Sequence, residues 1–193
     1  KAAHQVSIID ANALGLQAES IAGYINGADV IGITAMTPSI AEAIKIALRL
    51  KRTYPDVPVI LGGAHATLLP EETLKAAPEI DIIVRGEGET TTIDLLKAIQ
   101  AKTSLDGIPG INYRKNGLIV SNPPCSSFVD LDSQPFLAYH LLPLSKYKPH
   151  PPHGRSRPFA ALITSRGCPF KCGYCSKPVF GYKFRSQSPE RVI

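Results

Sequence analysis

The run Asp29-Val-Ile-Gly-Ile-Thr-Ala-Met-Thr-Pro-Ser-Ile-Ala-Glu-Ala-Ile-Lys-Ile-Ala-Leu-Arg-Leu-Lys-Arg-Thr-Tyr-Pro-Asp-Val-Pro-Val-Ile-Leu-Gly-Gly63 changes its hydrophobic period twice. Asp29 to Thr34 is a short, almost wholly apolar run, the signature of a buried strand. From Ser39 to Tyr54 the apolar residues Ile40, Ala43, Ile44, Ala47, Leu48 and Leu50 recur at helical spacing. Ser39, after Pro38, is well suited to cap that helix. Val57 to Leu61 returns to a strand. Working outward, Gln5-Val-Ser-Ile-Ile9 and Ile80-Asp-Ile-Ile-Val84 read as further strands, and Glu89 to Lys102 as a helix with Ile93, Leu95, Leu96 and Ile99 on one stripe. Strands alternating with amphipathic helices predict an α/β chain with a doubly wound parallel sheet.

In such a sheet, ligands bind at the loops that follow the carboxyl ends of the strands. Three loops hold candidate residues: Thr34-Ala-Met-Thr-Pro38, Gly62-Gly-Ala-His-Ala-Thr67 and Arg85-Gly-Glu-Gly-Glu89. Paired or alternating glycines let the backbone approach a bulky ligand, and the helix N-termini that follow favour anionic groups. Taken singly, each loop also reads as an ordinary structural turn.

Near the other end, Ser165-Arg-Gly-Cys-Pro-Phe-Lys-Cys-Gly-Tyr-Cys-Ser176 carries Cys168, Cys172 and Cys175 at three-then-two spacing. Three thiolates so close can hold three corners of a [4Fe-4S] cluster and leave one iron open to an exogenous ligand. The competing reading is a zinc knuckle completed by Cys125, His150 or His153; zinc sites favour a second ligand pair in a defined partner segment, and none is visible.

Four cysteines among 193 residues, three of them clustered, argue against a disulfide framework and for a reducing, cytoplasmic setting. No apolar run approaches the roughly 18 residues that span a bilayer. The net charge of +5 conceals an asymmetry. Residues 146–193 hold ten Lys or Arg and one acid, Glu190, while residues 1–145 hold 11 bases and 15 acids. A basic segment of this kind can face nucleic acid, surround an anionic cofactor or solvate a linker.

The cysteine spacing, Tyr174 before the last Cys and the strand-like Phe159-Ala-Ala-Leu-Ile-Thr164 resemble the radical S-adenosylmethionine enzymes. The upstream loops are similar to the cobalamin-binding domain that precedes many of them. Thr34-Ala-Met36 fits that domain's small-hydroxyl, any, apolar slot, and 25 residues separate Met36 from Gly62-Gly63. The resemblance implies a [4Fe-4S] cluster on Cys168, Cys172 and Cys175, with S-adenosylmethionine on the open iron and near Tyr174. It implies cobalamin against Thr34, Met36, Thr37, Gly62, Gly63, Ala64, His65, Gly86, Glu87 and Gly88. His65 reads as a solvated neighbour of the corrin tail rather than a cobalt ligand.

The activity implied is methylation of an unactivated carbon through a 5'-deoxyadenosyl radical and methylcobalamin, with oxidative cyclisation or ring contraction in some members. The substrate would be a small molecule or peptide, and the electron donor a flavodoxin or ferredoxin. A cobalamin carrier without chemistry is disfavoured by the three cysteines, and a tRNA methylthiotransferase by the lack of cysteines in residues 1–124.

Three parts are expected: a Rossmann-like (flavodoxin-like) cobalamin-binding domain at 1–105 lacking its first strand, a hairpin and Pro-rich linker at 106–158, and the first strand-loop-helix unit of a radical barrel at 159–193. The hairpin is predicted over Gly110 to Val120 with a turn at Asn116-Gly117. Eight of the 17 prolines lie in 122–158. Cys125, Tyr139, His140, His150 and His153 read as linker residues.

Overall fold

The computed structural model describes residues 4–125, 128–149, 159–177 and 179–193. His150 and His153 lie outside the described residues.

In chain order the elements are α1 (Ala11–Leu14), α2 (Ala18–Ile21), β1 (Ile31–Thr34), α3 (Ile40–Thr53), β2 (Val59–Gly62), α4 (Ala64–Leu68), α5 (Pro70–Ala76), β3 (Ile82–Val84), α6 (Gly88–Ala101), β4 (Ile111–Lys115), β5 (Leu118–Ser121), β6 (Ser165–Arg166), β7 (Arg185–Ser186) and α7 (Pro189–Val192). One sheet takes β1 to β5 in sequence order, and β6 pairs β7 in a small second ladder. The strands β1, β2 and β3 are parallel, in the register Ile31 to Val59 and Ile60 to Ile82. The hairpin β4–β5 continues the same sheet, with β4 antiparallel to β3.

Alternation along the strands sends side chains to two faces, and both are covered. Val59, Leu61 and Ile83 pack with Ala43 and Ala47 of α3, Ala66 of α4 and Leu74 of α5. Ile60, Ile82 and Val84 pack with Leu95 of α6 and with Ile111 and Tyr113 of β4. Each fully buried Leu or Ile contributes about 1.5–3 kcal/mol of hydrophobic stabilisation. A short parallel sheet can be this apolar only because helices lie on both sides. The predicted α/β, doubly wound arrangement is therefore present, with an antiparallel hairpin on its far edge. The turn is of the predicted kind: Asn116 and Gly117 take φ of 52° and 78°, the two left-handed residues of a type I' hairpin.

Three expectations are corrected. Gln5 to Ile9 forms no strand. Its alternation suits one, but a strand exists by pairing, and among the described residues β1 pairs with β2 alone. Phe159 to Thr164 likewise has no ladder partner and stays irregular until Ser165 meets Ser186. Ser39 precedes α3 without a side-chain cap bond; its hydroxyl instead accepts from the Met36 N–H and donates to the Met36 carbonyl, both at 3.1 Å. The capping residue has been taken over by the loop before it.

Residues 128–149 contain only two short 3₁₀ turns, as the proline content foretells. The segment is nevertheless packed. Leu131 is buried, and the Tyr147 hydroxyl donates to the Asp10 carboxylate at 2.7 Å. Among the described residues no helix is long and apolar enough to cross a membrane.

Candidate functional site

Because β1, β2 and β3 run parallel, the three loops that follow them gather at one edge of the sheet. They are bonded to one another. The Ala35 N–H donates to the Gly62 carbonyl at 3.2 Å, and the His65 N–H to the Ala35 carbonyl at 3.3 Å. His65 Nδ1 lies 3.2 Å from the Thr37 hydroxyl. The Thr67 hydroxyl donates to the Gly63 carbonyl and accepts from the Gly86 N–H, each at 2.9 Å. The first loop is thus tied to the second and the second to the third.

The two central glycines have different uses. Gly63 holds φ 94° and ψ −177°, a combination essentially restricted to glycine. A Cβ there would stand 2.6 Å from the Ala35 carbonyl oxygen and 2.9 Å from the Thr34 hydroxyl. Its missing side chain is already required by the packing of one loop on the next. At Gly62 the nearest atom to such a Cβ is the Val84 oxygen at 3.9 Å, so space remains beside the backbone. Gly86 takes a left-handed φ of 70°, and Gly88 opens α6. Met36 is exposed above the sheet edge, and Ala64 and His65 begin α4. Open backbone at Gly62, an exposed apolar Met36 and two helix N-termini suit a large, partly anionic ligand such as cobalamin.

Glu87 does not face this edge as an open carboxylate. Its side chain is 7% exposed and is paired with Arg166 at 2.9 Å and with Arg185. Glu89 pairs with Arg166 at 2.6 Å. Burial acts to lower the Arg166 pKa, but the Glu89 and Glu87 carboxylates outweigh it and the net shift is upward. The third loop is therefore joined to the segment that carries the cysteines.

That segment begins as a narrow neck. Gly167 has φ 80°, and a Cβ on it would fall 2.1 Å from the Lys183 carbonyl oxygen. The Cys168 N–H donates to the Gly181 carbonyl at 3.3 Å, and the Cys175 N–H to the Cys172 carbonyl at 3.1 Å. Cys168 is half-buried; Cys172 and Cys175 are exposed. None of the three is in a disulfide. Three thiols within one short loop are the donor chemistry of an open-cornered iron–sulfur cluster. They do not converge here: among the described residues no three Cys, His, Asp or Glu side chains form a metal-holding group. Tyr174 is 95% exposed.

A depression of about 500 Å³ opens at the opposite end of the sheet. Its Asp81 has a structural task, accepting the Val59 N–H at 2.7 Å and pairing with Lys51 at 2.8 Å.

The geometry is that of a B12-binding α/β domain, and the sequence comparison agrees: the B12 binding domain family matches residues 1–96. The chain is 40% identical, over 98% of its length, to an uncharacterised methyltransferase of Pyrococcus horikoshii, and covers 41% of that protein. It is 36% identical, over 86% of its length, to the anaerobic magnesium-protoporphyrin IX monomethyl ester cyclase of Rubrivivax gelatinosus, covering 30% of it. The radical S-adenosylmethionine methyltransferase TsrM of Kitasatospora setae, solved with cobalamin and a [4Fe-4S] cluster bound, superposes with a TM-score of 0.68 at 18% identity. That match covers 96% of this chain and 38% of TsrM, and it shows the shared fold. Residues 1–96 thus match the B12-binding domain family, and the chain is similar along most of its length to cobalamin-dependent radical S-adenosylmethionine proteins.

Sequence reasoning missed Thr67, Arg166 and Arg185 as structural partners of the loops. The signal for the arginines was the acidic excess of residues 1–145 against the basic excess of residues 146–193. Part of that imbalance is one half of the chain neutralising the other.

Proposed function

We propose that this chain is the cofactor-binding portion of a cobalamin-dependent radical S-adenosylmethionine methyltransferase acting on an unactivated carbon. The observation that carries the reading is the juxtaposition, through Glu87, of the Gly-rich loops at the sheet edge with the three-thiol loop. When bound, the two groups supply one-electron cleavage of S-adenosylmethionine and methyl delivery.

The chain's own residues bind and orient. Cys168, Cys172 and Cys175 would ligate the cluster, with Tyr174 beside its S-adenosylmethionine. Thr34, Met36, Thr37, Gly62, Ala64, His65, Gly86 and Gly88 line the edge where the corrin would rest. Gly63 holds two of those loops together. Oxidative ring formation is the second reading, favoured by the identity to the ester cyclase. The substrate would be a small molecule or peptide, the reductant a flavodoxin or ferredoxin, and the setting a reducing cytoplasm.

Anaerobic reconstitution with iron and sulfide is expected to load about four irons per chain, with broad visible absorption. Cys172→Ala is expected to abolish the uptake. Stoichiometric zinc with no iron uptake would overturn the reading.

A further inference from the structure

The four charges between the third loop and the cysteine neck form a self-neutral group, which Arg185 also ties to the Val129 carbonyl at 3.0 Å. Glu87 accepts from Arg166 Nη1 at 2.9 Å and Arg185 Nη1 at 3.0 Å, and pairs also with Arg185 Nη2. Both of its carboxylate oxygens are therefore taken by arginine. Arg166 reaches Glu89 through its other nitrogen at 2.6 Å. The two arginines are direct partners across the β6–β7 ladder, and Cys168 lies two residues past the first. Phe180 covers the Arg166 guanidinium at 5.5 Å, and Phe128 covers that of Arg185 at 4.6 Å. The Arg185 side chain is only 11% exposed.

A buried charge group of this kind adds little net stability, because desolvation offsets attraction, yet removal of one partner strands the others. Its physical product is a fixed geometry. We propose that Glu87 is a positioning residue rather than a corrin contact: it clasps the third loop of the B12-binding domain to the neck of the cysteine loop. The clasp sets the separation and orientation of whatever the two loops bind. What they bind rests on the function proposed above; the clasp itself does not.

The test uses the intact protein and amide hydrogen exchange before cofactor loading, on Glu87→Gln, Arg185→Gln and the double variant. The reporters are the Cys168 amide, bonded to Gly181, and the Gln187 amide, bonded to Thr164. Each single variant is expected to speed their exchange at least tenfold. The double variant is expected to be no faster than the worse single, because the partners act as one unit. The Leu61 and Ile83 amides, inside the sheet, are expected to stay within twofold. Unchanged exchange at Cys168 and Gln187, multiplying effects in the double variant, or equal acceleration at Leu61 and Ile83 would each overturn the clasp. Arg185→Gln lies outside the five-stranded sheet and decides the matter if Glu87→Gln does not fold.

In protein loaded with the cluster and cobalamin, pulsed electron paramagnetic resonance is expected to give a broader distance distribution in Glu87→Gln, with cobalamin affinity within twofold of the parent. An unbroadened distribution would also overturn the proposal. Wild-type protein that takes up neither group would sink the proposed function instead, and the exchange data would still judge the clasp.

Discussion

Replacing Gly63 with Ala tests whether the candidate cofactor loops are built on one another. Two costs add at this position. A side-chain-bearing residue at φ 94° and ψ −177° is strained by about 1–3 kcal/mol. The new Cβ would also stand 2.6 Å from the Ala35 backbone oxygen, where a carbonyl rather than a flexible side chain must move. Overpacking of this kind costs about 1–3 kcal/mol. The expected loss is therefore about 2–5 kcal/mol, allowing for partial relaxation. It is read by urea denaturation followed by circular dichroism, as a lower midpoint at unchanged slope. Gly62→Ala is the control, because its Cβ would have nothing nearer than 3.9 Å. It is expected to change stability by no more than about 1 kcal/mol, the ordinary Gly-to-Ala range in a strand. Since it keeps the fold, it is also the variant that reports on ligand approach, with hydroxocobalamin binding expected to weaken about tenfold, or about 1.4 kcal/mol. A loss below about 0.5 kcal/mol for Gly63→Ala, within the range of ordinary surface changes, would refute the interlocking of the loops. So would an equal loss for Gly62→Ala.

Two further outcomes test the hairpin and the sheet's second face. Gly117→Ala meets nothing within 4 Å, so its cost is the left-handed backbone alone, about 1–2 kcal/mol by calorimetry; no cost would contradict the type I' turn. The Tyr113 hydroxyl is pushed up to about 12 by burial and by its hydrogen bond to Asp106. Its protonated form is thus favoured by folding, so its stabilisation is complete below pH 10 and lost as pH rises from 10 to 12. Tyr113→Phe is expected to flatten the fall in stability over that window, and an unchanged slope in urea titrations would overturn the assignment.

The buried strands were legible because a parallel strand covered on both faces is apolar throughout, as Val59 to Leu61 and Ile82 to Val84 are. The hairpin was legible because Asn116-Gly117 encodes its own dihedral angles. Partnership was not legible. Gln5 to Ile9 and Phe159 to Thr164 have the side chains of strands, but pairing depends on a neighbour that no local pattern specifies. For the candidate site, spacing alone exposed the three cysteines and the glycine loops. The roles of Gly63 and Glu87 were hidden, since both looked toward a ligand in sequence and both turn out to face protein. Glu87 lies 79 residues from Arg166 and 98 from Arg185, and no period carries over such a distance.

The order of the main sheet bears on how the chain acquires its shape. Each of β2 to β5 adds beside the strand that immediately precedes it in the chain, so these five strands can assemble in order as the polypeptide leaves the ribosome. Pairings between successive elements keep loop-closure entropy small and favour rapid assembly. The contacts of Glu87 and Glu89 with Arg166 and Arg185 stand apart from that progression, because they must wait until residues 166 to 185, far along the chain, have been made. Assembly therefore divides into a vectorial stage that builds the platform and a closing stage that fastens the cysteine loop to it, and slow or failed closure would leave a folded sheet with its thiols adrift.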